Sequence, residues 1–276
     1  MIRVRDVLGS GSPLSRELPG WEERAGQLAM AEAVERALED ERHLFVEAGT
    51  GTGKTLAYLV PAILSGRKVV VSTATRALQE QIFLKDLPMV AHALAAHGVH
   101  VRAALMKGLS NYVCLRRLAE ARASGALAGE LGARVTDWAG KTVAGDRAEI
   151  ADLREDAAEW RDIASSSETR IGASCEHFEA CFVTRMRREA EDAQIVVVNH
   201  HLLLADLALR TGPRRVRASV LPAYDAVVFD EAHRLEETAA TWLGGRVSRA
   251  GLRRLAADIE RACREASEPV PARGLD

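Results

Sequence analysis

The stretch Ala48-Gly49-Thr50-Gly51-Thr52-Gly53-Lys54-Thr55 constrains this chain more than any other. It has the form of a phosphate-binding loop: a small residue, four residues, then Gly-Lys-Thr. The preceding His43-Leu44-Phe45-Val46-Glu47 reads as a short strand, and Leu56-Ala57-Tyr58-Leu59-Val60 as an apolar helix. That strand–loop–helix context is what the motif requires. Glycines let successive backbone N–H groups turn toward phosphate oxygens without Cβ clashes, and the helix N-terminus adds partial positive charge there. Lys54 would reach the β- and γ-phosphates, and the Thr55 hydroxyl would sit on Mg²⁺. A Gly-rich turn with a chance Lys-Thr is the plain alternative, and it needs no such context. The residues point to a nucleotide-binding protein.

A second acidic motif completes the argument. Ala226-Val227-Val228-Phe229 is an apolar run leading directly into Asp230-Glu231-Ala232-His233. Asp230 at a strand end can hold Mg²⁺, directly or through water, and Glu231 can orient the water that attacks the γ-phosphate. Delivering two adjacent carboxylates on a buried strand is costly unless a metal or a reaction uses them. A surface Asp-Glu at a helix start is the alternative. His233 would link the nucleotide site to the rest of the protein.

Between these motifs, strands alternate with helices. Lys68–Ser72, Val99–Met106 and Gln194–Val198 read as strands, and Trp21–Asp40 and Arg76–Lys85 as helices. Such alternation predicts an α/β fold with a parallel sheet covered on both faces. Residues 1–20, rich in Gly, Ser and Pro, read as an irregular lead-in. Residues 107–193 carry three cysteines and several helical patterns without a strong strand, and read as an insertion. The C-terminal stretch places Leu252, Leu255, Ala256, Ile259 and Cys263 on one helical face, which makes Cys263 a core residue rather than a ligand.

Composition limits the function classes. With 276 residues, 47% hydrophobic content and a net charge of −2, the chain is expected to be globular. It cannot bind nucleic acid by bulk charge alone, so any such site must be a local patch. No apolar run approaches membrane-spanning length, and a cytoplasmic protein with no membrane contact is expected. In that compartment the cysteines would bind metal or pack in a core rather than form disulfides.

Taken together, Arg24, Gln27, the Ala48–Thr55 loop, Val71-Ser72-Thr73-Ala74-Thr75, Leu78-Gln79-Glu80-Gln81, Lys107–Cys114, Cys181-Phe182, Val196–Asp206 and Asp230-Glu231-Ala232-His233 resemble superfamily 2 helicases. More narrowly, the chain resembles the DinG/XPD group of iron–sulfur DNA helicases, over nearly its whole length and in family order. The resemblance implies a RecA-like motor domain and ATP-driven 5′→3′ translocation on single-stranded DNA. Lys54, Thr55, Asp230 and Glu231 would carry Mg²⁺-dependent hydrolysis, and Gln27 would contact adenine. Ser72, Thr73 and Thr75 would touch the DNA backbone. Arg185, Arg187 and Arg188 form a further candidate phosphate patch, with a solvated helix face as the alternative. The implied layout is a motor segment over 1–106, an iron–sulfur-type helical insertion over 107–193, the motor continued over 194–233, and the start of a helical arch over 234–276.

The chain departs from that family in three places. The family's 4Fe–4S cluster is held by four cysteines, the last three spaced Cys-x4-Cys-x5-Cys. Here Cys114, Cys175 and Cys181 fit, but Arg170 stands at the remaining position, and arginine supplies no thiolate. The family's Arg after Lys-Gly is Leu109. The chain stops soon after Asp-Glu-Ala-His, so the remaining strands of the motor domain and a second motor domain, with the arginines that complete the ATP site, are expected to be missing unless another chain supplies them. Two rival readings follow: a nucleotide- or DNA-binding fragment without turnover, and a phosphate-loop NTPase of another class.

Overall fold

The computed structural model describes residues 2–12, 14–15, 21–49, 51–95, 97–154, 157–211 and 219–243, together with Ala256 and Ile259. Thr50, Cys263 and most of the predicted C-terminal helix lie outside them. Four strands form one parallel sheet in the order β2-β3-β1-β4: β1 (Val69–Thr73), β2 (Ala103–Leu105), β3 (Ile195–Asn199) and β4 (Ala226–Phe229). Register pairs Val70 with Val196 on one side and Val227 on the other. The runs are β-branched and almost uniformly apolar, the composition expected when both faces of a sheet are buried.

Successive side chains leave opposite faces of a strand, and the two cores divide on that alternation. Val69, Val71, Ile195 and Val197 face one core, with α1 (Val4–Leu8), α2 (Ala25–Glu39), α3 (Lys54–Leu64) and a continuous helical run made of α4 (Arg76–Gln81), a π-turn (Ile82–Asp86) and α5 (Leu87–Ala95). Val70, Ala104, Val196 and Val198 face the other. That second core is filled largely by residues 107–193, from α6 (Leu115–Ala123), α7 (Glu130–Ala139), α8 (Ala158–Ile163) and α9 (Phe182–Asp192). Helix α9 buries Phe182, Val183, Met186 and Ala190, a stripe at helical spacing that lies toward the sheet. Helices α10 (His200–Thr211) and α11 (Leu235–Leu243) follow β3 and β4.

The cysteine-bearing stretch is thus packed onto the sheet. It is also tied there by charge: the Lys107 ammonium, 4% exposed, lies 2.6 Å from Glu80 on α4 and contacts Asp146 inside the stretch. Within 107–193 the only extended pairings among the described residues are single bridges, Tyr112 with Asp146 and Val113 with Ala164.

Three expectations are corrected. Residues 1–20 are not simply irregular: Val4, Val7 and Leu8 form a helical turn whose side chains are buried, and Leu14 is buried with them. The i, i+3, i+4 spacing that drives this burial was masked by the surrounding Gly, Ser and Pro. Residues 43–47 belong to no strand. Phe45 is 96% exposed, and Leu44 and Val46 are exposed beside it. β propensity is realised only against a neighbouring strand, and these residues have none among the described ones. The third strand, expected over Val99–Met106, is confined to Ala103–Leu105.

Candidate functional site

The phosphate loop runs from the unpaired segment into α3, whose N-cap is Gly53. Gly51 and Gly53 adopt left-handed φ values of 77° and 79°, which only glycine takes without strain. Gly53 also admits a close neighbour: a Cβ there would lie 2.0 Å from Gln27 Nε2. Gln27, buried on α2, donates through that nitrogen to the Gly53 carbonyl at 2.9 Å, and Arg24 donates to the Gly51 carbonyl. Both residues therefore brace the loop from behind. Inside it, Thr52 Oγ1 donates to the Gly49 carbonyl (2.9 Å) and Lys54 Nζ to the Ala48 carbonyl (3.1 Å).

Strand β4 carries the acidic pair toward this loop. The Asp230 amide donates to the Ser72 carbonyl at 2.8 Å, which continues the β1–β4 pairing to the strand end. Glu231 then turns out with φ 56°, a strained setting for a non-glycine residue of the kind found at functional sites. Its Oε1 lies 3.9 Å from Lys54 Nζ, and its Oε2 lies 3.4 Å from His233 Nδ1. Residues 177 positions apart in sequence numbering thus meet at one place. Burial, and secondarily the Glu231 charge, hold the Asp230 carboxyl above its ordinary value of 3.8. A divalent cation would relieve both effects, because it favours the charged form.

Three residues of this site carried no assigned role in the sequence reading. Tyr58 donates to Asp230 Oδ2 at 3.3 Å and also interacts with Thr55, so its hydroxyl sits between the two expected Mg²⁺ ligands. Burial first, and Asp230 next, push its pKa well above the ordinary value. The signal was present: Tyr58 lies four residues after Lys54, on the same face of α3. Asp86, from the π-turn, has its pKa raised mainly by burial, with Asp230 adding to it. His200 is fully buried, with Nδ1 2.7 Å from Ser72 Oγ, and burial lowers its pKa.

The residues expected at DNA divide. Thr75 is exposed, and its hydroxyl caps α4 by accepting from the Leu78 amide (3.2 Å). The side chains of Ser72 and Thr73 are buried, with Ser72 held by His200. The arginines after Cys181 are also occupied in part. Arg188 pairs with Glu179 at 2.7 Å, Arg185 donates to the Val143 carbonyl, and Arg187 is half-buried.

A second site lies within the insertion. Cys114, Cys175 and Cys181 are free thiols that line one small cavity together with Arg170, Arg116 and Phe178. Cys114 precedes α6 and is fixed by its amide donating to the Ile163 carbonyl (2.7 Å). Cys181 is the N-cap of α9, and Cys175 closes a turn onto Gly172, whose φ is 64°. Nη1 of Arg170 and Nε of Arg187 are both buried without a hydrogen-bond partner. The two guanidinium groups also repel one another: burial, then Arg170, lowers the pKa of Arg187, while the Cys181 thiol opposes that shift. Among the described residues no three His, Cys, Asp or Glu side chains stand close enough to share one metal ion.

The parallel sheet, the glycine loop with Lys54 and the strand-end acidic pair define a RecA-like phosphate-loop fold, and the DEAD/DEAH box helicase family matches residues 28–118. The chain belongs to the DinG-type superfamily 2 helicases. It is 41% identical to the ATP-dependent DNA helicase YoaA of Escherichia coli, over 95% of this chain and 41% of that protein. It is 38% identical to the ATP-dependent helicase DinG of Mycobacterium tuberculosis (79% and 35%) and 33% identical to the 3′-5′ exonuclease DinG of Bacillus subtilis (87% and 25%). The chain therefore spans about two fifths or less of the length of these curated relatives. No helix among the described residues is long and apolar enough to cross a membrane.

Proposed function

We propose that this chain is the Mg²⁺·ATP-binding part of a DNA helicase motor. The observation that carries the reading is the meeting of Lys54 and Glu231 at 3.9 Å, beside a half-buried Asp230. In this reading the amides of Gly49 to Lys54 cradle the phosphates, Lys54 neutralises their developing charge, and Thr55 and Asp230 hold Mg²⁺. Glu231 orients the attacking water, and Gln27 reaches the adenine from its bracing position behind Gly53. Single-stranded DNA tracks past Thr75 and the neighbouring backbone in the 5′→3′ sense. A second motor domain supplies the arginines that complete hydrolysis, and such arginines contribute ~10³–10⁵ in rate. The cysteine cavity takes an iron–sulfur cluster, which would supply rigidity or electron transfer to the insertion. Cys114, Cys175 and Cys181, which line the cavity, would hold it one ligand short, since Arg170 supplies no thiolate. The protein works in the cytoplasm, where these thiols stay reduced.

The test is ATP hydrolysis and Mg²⁺·ATP binding by the chain, with and without single-stranded DNA, beside a Glu231→Gln variant. Lys54-dependent binding with turnover stimulated by DNA and lost in Glu231→Gln supports the full reading. Binding with no turnover supports a nucleotide-binding segment that needs its second domain. Failure to bind Mg²⁺·ATP overturns the proposal.

A further inference from the structure

The Tyr58 hydroxyl has a place in the nucleotide site that goes beyond filling space, on the reading that Thr55 and Asp230 hold Mg²⁺. Tyr58 lies one helical turn after Thr55 on α3, so the two side chains share a face. It is 3% exposed, and its hydroxyl lies 3.3 Å from Asp230 Oδ2 while also interacting with the Thr55 side chain. The other carboxylate oxygen, Asp230 Oδ1, accepts from the Glu231 amide at 3.1 Å. A buried phenol is satisfied by a single partner. This one has two, and they are the two residues expected on the cation.

Donor and acceptor capacity fixes which way the protons point. An ionised carboxylate only accepts, so Tyr58 gives its one proton to Asp230. Its phenol oxygen then accepts from Thr55, whose hydroxyl proton is drawn away from the site. The Thr55 lone pairs are thereby left for a cation, and Asp230 is held by both of its oxygens in one orientation. A hydroxyl and a carboxylate are the hard oxygen donors that suit Mg²⁺. We propose that Tyr58 is a positioning residue for Mg²⁺, one that orients Thr55 and Asp230 without touching the cation or the nucleotide. The phosphate loop is braced separately, by Gln27 and Arg24 behind Gly53 and Gly51. Loss of the Tyr58 hydroxyl should therefore separate the two parts of the site, sparing nucleotide binding that needs no metal and weakening the part that does.

The experiment is calorimetric titration of the full chain with ATP, in EDTA and at increasing Mg²⁺, for the natural chain and for Tyr58→Phe, which removes one oxygen and keeps the ring. Affinity in EDTA should be unchanged, while the gain that Mg²⁺ brings should fall about tenfold, as is usual when a partner of a metal ligand is lost. Equal weakening with and without Mg²⁺ would make Tyr58 a packing residue and overturns the inference. So does an unchanged gain, and so does a larger one, which would mark a hydroxyl that competes with the cation. Should circular dichroism show the variant unfolded, the natural chain with its three tyrosines labelled as fluorotyrosine decides instead. One fluorine resonance should move when Mg²⁺ joins bound ATP, and three unmoved resonances overturn the inference. If the natural chain binds ATP but gains nothing from Mg²⁺, the assignment of Thr55 and Asp230 falls along with that of Tyr58. If it binds no ATP at all, the proposed function itself fails.

Discussion

The nucleotide site and the cysteine cavity are built in opposite ways. All the residues lining the cavity come from one stretch, Cys114 to Cys181, packed on a core that the same stretch fills. The nucleotide site draws on α2, the loop, α3, the end of β1 and the end of β4, and it stands beside apolar residues 43–47 that pair with nothing described. A site assembled within one stretch can be complete when its neighbours are not. One assembled across a sheet inherits every gap in that sheet.

The largest expected effect tests whether the two regions are energetically joined. Lys107→Ala leaves Glu80 and Asp146 without their shared cation, and breaking a buried pair costs about 3–5 kcal/mol. Glu80 is partly exposed, so the lower end is expected. Chemical denaturation should show the loss as a drop in midpoint. If the midpoint is unchanged, the insertion is anchored by its apolar core alone.

Next comes separation. Lys54→Ala should remove nucleotide-dependent stabilisation, about 2.7 kcal/mol at a ligand concentration 100 times Kd, while leaving unchanged whatever iron the chain takes up on reconstitution. A thermal-shift series with Mg²⁺·ATP checks the first, and metal analysis the second. Loss of both together would mean that the two sites are not independent.

A smaller effect follows from Asp230, whose folded pKa is raised. Its favourable contribution is fully present below the unfolded value of 3.8 and is lost as pH rises through the folded value. Without metal, Asp230→Asn should therefore be more stable than the natural chain at neutral pH, and the gap should close as pH falls toward 3.8. With Mg²⁺·ATP the order should reverse at neutral pH, because the charged carboxylate is then used. Melting temperatures across that range, with and without Mg²⁺, decide it. The smallest effect belongs to the exposed segment: Phe45→Ser should change stability by no more than about 0.5 kcal/mol while reducing self-association measured by light scattering.

Legibility tracked the range over which each feature is encoded. The loop could be read because eight consecutive residues determine both its backbone and its chemistry, and the acidic pair because β4 delivers it directly. That Cys114, Cys175 and Cys181 belong to one site, with Arg170 at the remaining position, was implied by the family resemblance, and all four residues line one cavity. The Tyr58–Asp230 contact was not legible, since its partners lie 172 residues apart. Nor was the Lys107 network, whose geometry depends on how the insertion seats against α4. The burial of Ser72 and Thr73 followed from strand register, which places them inside the sheet beside Val198 and Asn199. Residues 43–47 have the right side chains for a strand, but pairing is a property of two segments and not of one.

The sheet order has a consequence for how the chain is made. β1 lies between β3 and β4, yet about 120 residues separate Thr73 from Ile195. At ~5–20 residues per second, the first valine strand leaves the ribosome about 6 to 24 s before either neighbour exists. During that interval the cysteine stretch emerges, and the helices within it can begin to pack on one another before the sheet that they cover is complete. Translation speed across residues 107–193 therefore sets how long an unpaired Val69–Thr73 is offered to other chains, and slowing it should lower the soluble yield without changing a single amino acid.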